Sequence, residues 1–255
     1  RAVAVGVVEA GRDVRAHGRG SLHEVELHVD AGAAGGGHED RPAASHREGV
    51  DLISLRGDGA GRSGAEGDVL RGAGAGAVEF SGNQPGGAYL GGFMPDIFRH
   101  LRINRSAGTV ALLKNALVTG NMTFSNGLFN LNGFNVTLAQ PGAVLTGENE
   151  TSRVFSSSTG ELQLVAALNA PAAVNPANIG AALTSAANLG TTVVRRGHLS
   201  FIGPCDGSIK RYFAFQPANN SGLNATLRLY YFDAELNDAP ENDLILYRSD
   251  NGGAS

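Results

Sequence analysis

From Glu79 onward the pattern becomes strand-like, with apolar and polar positions alternating at the two-residue period of half-buried strands. In 97–103, Leu101 and Ile103 share one side and Arg102 lies on the other. Val118, Gly120, Met122 and Phe124 fall on one side of 117–124. Further on, 161–165 alternates, and 191–196, 208–215 and 244–248 read as strands. In 225–232, Leu227, Leu229 and Tyr231 point one way, and Thr226, Arg228 and Tyr230 the other. Between these runs stand turn signals. Gly108, Asn126-Gly127, Asn132-Gly133 and Pro141-Gly142 supply the backbone angles that tight corners need. The small-residue stretch 170–190 predicts a short helix or an irregular loop that carries Ile179, Leu183 and Leu189.

This pattern predicts an all-β chain. In 79–155 the strands are short, the turns frequent, and Asn and Thr plentiful. That combination points to a short parallel β-helix, or solenoid, in which each coil buries a few apolar side chains and stacked Asn or Thr satisfy the corners. A β-sandwich edge or an antiparallel meander is the alternative for this part. Residues 156–255 predict a β-sandwich, cut short at its C-terminal side.

Composition divides the chain near residue 78. Residues 1–78 hold no Asn, Gln, Lys, Thr, Phe, Tyr, Met, Cys or Trp, whereas 79–255 hold 19 Asn and 11 Thr. With so little aromatic and branched bulk, the first segment reads as low-complexity or disordered. It is either a true linker or the product of a wrong reading frame or strand in a GC-rich gene. The start at Arg1 and the loop-like end 250–255 read as a piece of a longer protein.

The net charge of -4 comes with no basic stripe, which argues against a nucleic-acid surface. No apolar run approaches the roughly 20 residues that span a bilayer as a helix. Cys205 is the single cysteine, so no internal disulfide or cysteine zinc cluster forms. Five histidines, His17, His23, His28, His38 and His46, crowd the first segment in no standard metal spacing.

Three places offer candidate chemistry. Asp233, Glu235, Asn237 and Asp238, with Glu241 and Asp243 beyond, form an acidic cluster whose oxygens could hold calcium. An EF-hand is excluded, because its sixth position would be Asp238 and its twelfth Leu244. Otherwise the cluster is a solvated turn between two strands. Tyr212 and Tyr230 are candidates for stacking on a glycan, with Lys210-Arg211 beside Tyr212 and Phe213 as part of the platform; otherwise such aromatics are core and the basic residues face outward. Arg195, Arg196 and His198 form a small basic patch, read as alternating exposed strand positions. No catalytic constellation stands out, and apart from calcium no cofactor is expected. Paired carboxylates for glycoside chemistry are thin: 79–155 offers only Glu79, Asp96, Glu148 and Glu150, the last two in a turn-rich polar string.

Phe98-Arg99-His100-Leu101-Arg102-Ile103-Asn104, Asn121-Met122-Thr123-Phe124 and Leu131-Asn132-Gly133-Phe134-Asn135-Val136-Thr137-Leu138 resemble the repeating texture of large surface proteins exported by the type IX secretion system. So do 189–198, Arg211-Tyr212-Phe213, 219–227 and Tyr231-Phe232-Asp233-Ala234-Glu235-Leu236-Asn237. The resemblance covers about 79–250. It implies a bacterial, secreted or cell-surface location, a structural or adhesive role, a glycan or cell-surface partner, and no catalytic residues. A carbohydrate-binding accessory module of a secreted polysaccharide-degrading enzyme is the alternative, and a β-helix polysaccharide-degrading enzyme is a third reading.

Overall fold

The computed structural model of the chain describes residues 76–83, 85–91, 96–200 and 208–249, with the backbone alone at 96, 243, 245 and 247–249. It also describes the backbone of three earlier strands, β1 (Val3–Ala10), β2 (His23–Val29) and β3 (Val69–Ala73). The rest of the low-complexity segment, with His17, His38 and His46, lies outside the described residues, as does Cys205. The described residues form an all-β fold with no α-helix.

About four coils of a parallel β-solenoid come first. The first consists of β4 (Ala77–Gly82), β5 (Ala88–Leu90) and β6 (Asp96–Phe98). The second consists of β7 (His100–Leu112) and β8 (Ala116–Val118). The third consists of β9 (Asn121–Asn130) and β10 (Val136–Leu138). The fourth consists of β11 (Val144–Thr146), β12 (Val154–Phe155) and β13 (Glu161–Asn169). Each strand pairs in parallel with its counterpart one coil away, so like positions stack into interior rows. Leu101 faces Met122, which faces Leu145; Val110 faces Phe129, which faces Val154; Val118 faces Leu138, which faces Leu164. All nine side chains are buried.

The corners explain the richness in Asn and Thr. Asn115 Oδ1 accepts the Asn135 N–H at 2.8 Å, and Asn135 Oδ1 accepts the Glu161 N–H at 2.9 Å, forming one ladder across three coils. Thr146 donates to Thr123 at 3.0 Å, and Gln163 to Thr137 at 2.9 Å. Asn132 and Gly133 both have positive φ and make the expected turn. Asn126-Gly127 and Gly108 differ from expectation. They lie inside the long strands β9 and β7, where the pairing register shifts as the chain bends from one solenoid face to the next. Pairing lapses at the bend and resumes beyond it: β7 pairs with β4 through Arg105 and with β5 from Val110, and the Gly127 N–H donates to the Ser152 hydroxyl at 2.8 Å, so a positive φ there makes a corner between two paired stretches of one strand.

Gly147 closes β11. Its φ is +79°, and a Cβ there would stand 2.1 Å from the carbonyl oxygen of Phe124 in the preceding coil. Gly147→Ala is therefore expected to cost about 2–4 kcal/mol, from a strained φ and overpacking against backbone together. Gly86 is the control, because a Cβ added there would meet nothing within 4 Å. Urea unfolding of both variants checks this, with Gly86→Ala remaining close to the wild type.

The remaining strands are β14 (Ala181–Thr184), β15 (Asn188–Gly197), β16 (Tyr212–Pro217), β17 (Ala225–Tyr231) and β18 (Leu244–Ser249). The stretch expected as helix or loop thus contains β14, which pairs antiparallel with β17. β17 alternates buried and half-buried as expected, with Leu227, Leu229 and Tyr231 inward. β2 extends this small sheet, while β1 joins β16 to β18 in the large one. Strand β13 has two partners. It pairs in parallel with β10, which completes the fourth coil, and antiparallel with β15, which begins the C-terminal sheet. Solenoid and antiparallel strands thereby share one eight-stranded sheet. They also share one hydrophobic core, running from Phe80 through Leu164 to Leu229.

Candidate functional site

The described residues gather most of their buried charge where the fourth coil meets the antiparallel strands. Period-2 alternation places it there. On β15, Thr192, Val194 and Arg196 share the core-facing side, and His198 continues that parity just beyond the strand. Ahead of β16, Arg211 shares the parity of Phe213 and Phe215. Arg196, His198 and Arg211 are accordingly buried. This corrects two expectations. The 195–198 patch is not exposed, since only Arg195 faces outward. Of Lys210 and Arg211, Lys210 alone is exposed.

Two carboxylates neutralise these cations. Glu148 follows Gly147 in the loop between β11 and β12. Asn149 Oδ1 holds that loop by accepting the Thr151 and Ser152 N–H groups at 3.0 Å each. Arg196 grips Glu148 with both ends of its fork, Nη1 to Oε2 at 2.8 Å and Nη2 to Oε1 at 2.7 Å. Nη1 also donates to the Ile179 carbonyl at 2.9 Å, and Glu148 Oε1 accepts the Val154 N–H at 2.9 Å. Glu235 closes a 3-10 turn (Asp233–Glu235) after β17 and reaches back to accept the Phe232 N–H at 3.0 Å. Arg211 Nη2 donates to Glu235 Oε1 at 2.9 Å and Nη1 to the Tyr230 carbonyl at 2.8 Å. Arg211 Nε lies 2.7 Å from Oε2, but its N–H is off line, so that contact is charge pairing more than hydrogen bonding. The Arg211 guanidinium also sits 4.8 Å from the centroid of the Phe232 ring.

His198 links the two pairs. Its Nε2 accepts from Arg196 Nε at 3.3 Å, and its Nδ1 lies 3.2 Å from Glu235 Oε1. Gly180 (φ +96°) lets the arginines converge, because a Cβ there would lie 3.3 Å from Arg211 Nη1 and 3.7 Å from Arg196 Nη1. Glu150 adds a contact on the outer side, accepting the Asp233 and Ala234 N–H groups at 3.0 and 3.1 Å.

Charges this close move one another's titration. Burial works against the Glu148 anion, yet Arg196, with help from Arg211 and the Val154 N–H, holds its pKa below the ordinary value. Burial likewise opposes the Glu235 anion, but Arg211 and His198 bring it down to about 2. For His198, burial lowers the pKa to about 4; Glu235 pulls it up while Arg196 and Arg211 push it further down. The site is therefore two carboxylates, two guanidinium groups and one neutral imidazole, charge-balanced, with every carboxylate oxygen turned to an internal donor.

The chain matches no protein-family model, no curated protein and no solved structure.

The residues expected to carry ligand chemistry are dispersed. Glu235 is committed to the buried network. Asp233 is exposed at the start of the 3-10 turn. Asn237 and Asp238 both have positive φ, and Asn237 Nδ2 donates to the Ser208 carbonyl at 3.2 Å. These four do not converge on one point. Among the described residues, no three His, Cys, Asp or Glu are placed to hold a metal ion. Tyr212 and Tyr230 lie on different sheets. The Tyr212 ring covers Gly197, where a Cβ would fall 2.0 Å from it, and its hydroxyl donates to Glu161 at 2.8 Å. The network itself was within reach of the sequence through strand parity for Arg196, His198 and Arg211. Glu148 and Glu235 carried no such signal.

Proposed function

We propose that this chain is a structural or adhesive segment of a secreted or cell-surface bacterial protein, with the solenoid and the antiparallel strands held as one stiff body. One observation carries the reading: β13 is at once the last strand of the solenoid and the first of the antiparallel sheet. The Glu148–Arg196 pair supports it with a second tie across the junction. A spacer or a presenting scaffold needs such a seam, because a hinge there would waste the stiffness of stacked coils. The likeness to type IX exported surface proteins supports the location.

The test anchors the full chain at its two ends and pulls it in a single-molecule force experiment. The expected trace has no compliant step in which the junction yields before either part unfolds. A junction that gives way first overturns the stiff-body reading. A parallel assay incubates the chain with a polysaccharide panel. Release of reducing ends would replace the structural role with an enzymatic one. Glycan retention that is lost in Tyr212→Ala would favour the accessory-module reading.

A further inference from the structure

We propose that the junction between the fourth coil and the antiparallel strands is an acid-released joint, and that protonation of His198 opens it. Hydrogen-bond roles fix the state of the ring. Arg196 Nε–H can only donate, so His198 Nε2, 3.3 Å away, must accept. Nδ1 then carries the ring proton and donates to Glu235 Oε1 at 3.2 Å. The neutral Nδ1–H tautomer satisfies both contacts, and no other form does. A proton on Nε2 would set N–H against N–H and one cation against another.

Among the described residues, the surroundings offer no relief. Arg196 faces the ring from β15, Arg211 from the approach to β16, and Glu235 from the 3-10 turn after β17. Glu148, from the loop after β11, is already gripped by Arg196, and Glu150 caps the 3-10 turn from the same loop. Among the described residues, two carboxylates balance two guanidinium groups around the ring, so a third positive charge finds no further partner. His198 and Arg196 are buried, and water cannot solvate the added charge. Breaking the contact releases the pairs that join the Glu148 loop to β15 and the Glu235 turn to Arg211.

In the closed joint the His198 value, about 4, lies below the ordinary 6.5 that the ring regains once exposed. The open form therefore binds the proton first. The closed joint is fully favoured above about pH 6.5 and loses ground as pH falls toward 4. Glu235 reinforces this at lower pH, as its carboxylate, held at about 2, is forced toward protonation. The three interior rows of the solenoid contain no titratable side chain and have no reason to follow.

The experiment is hydrogen–deuterium exchange on the full chain from pH 7 to 4.5, corrected for intrinsic exchange rates. Segments 147–154 and 230–236 are expected to lose protection by about tenfold for each pH unit below 6, while 101–103 and 122–124 keep theirs. In His198→Asn, which keeps a donor toward Glu235 but cannot titrate, that pH dependence should disappear. A second measurement needs no variant: nitrogen shifts of the His198 ring should report the Nδ1–H tautomer at pH 7 and titration well below 6. Protection at the junction that holds down to pH 4.5, or falls equally in His198→Asn, overturns the proposal. So does a His198 ring that titrates near 6.5.

Discussion

Replacing Glu148 by Ala is expected to lower the stability of the folded chain by about 3–5 kcal/mol, the usual cost of stripping one partner from a buried ion pair. Arg196 is fully buried, and its fork would keep only the Ile179 carbonyl and the His198 ring as acceptors. A guanidinium cannot shed its charge to escape, because its pKa lies too high. Either the cation stays unpaired in the interior or the junction opens to let water in. Glu148→Gln should lose less, since it retains a neutral acceptor. Arg195→Ala, which breaks the partly exposed pair with Glu161 at 3.8 Å and leaves Glu161 its Tyr212 hydroxyl, should cost about 0–1 kcal/mol. The pair Glu148→Leu with Arg196→Met should recover much of the loss, because an apolar replacement of both charges leaves no orphan. Urea unfolding of the four variants measures this. Equal losses in Glu148→Ala and Arg195→Ala would mean that burial of the pair contributes nothing.

The sequence announced this fold wherever the deciding signal was local. Alternation in 97–103 and 225–232 placed Leu101, Ile103, Leu227, Leu229 and Tyr231 inward, because a strand needs only its own period to choose a face. Asn132-Gly133 marked a turn because the two residues that must take positive φ are adjacent. Partner choice was less legible. Nothing within 161–169 tells that one edge of β13 meets a parallel strand and the other an antiparallel one, since both pairings use the same extended backbone.

The site was harder still. Glu148 finds Arg196 across 48 positions, and Glu150 reaches Asp233 across 83. No window of the chain contains either pair. The dense carboxylates after β17 read as calcium ligands or as a solvated turn, because charge alone does not say which way a side chain turns. The 3-10 turn turns Glu235 inward and leaves Asp233 outside. For Arg196 and His198 the parity was available in Val194-Arg195-Arg196-Gly197-His198, but charge suggested solvent. Parity prevailed because Glu148 and Glu235 wait on the buried side to pair those charges.

Phe129→Ala should be as damaging as the loss of Glu148, by about 3–5 kcal/mol, and for a reason that belongs to the solenoid. Phe129 is fully buried in the third coil, with Val110 one coil before it and Val154 one coil after. A coil touches only its neighbours, so an emptied position weakens two interfaces at once and distant coils cannot compensate. The coils are also poorly able to collapse into the void. Their spacing is fixed by parallel backbone hydrogen bonds and by corner ladders such as Asn115, Asn135 and Glu161. Phe129→Leu, which keeps most of the volume, should lose roughly 1–2 kcal/mol. Ile97→Ala, at a position 62% exposed on the outer face of β6, should change stability by no more than about 0.5 kcal/mol. Urea unfolding of the three variants provides the comparison. A Phe129→Ala midpoint close to that of Ile97→Ala would mean that the stacked rows do not hold the coils together.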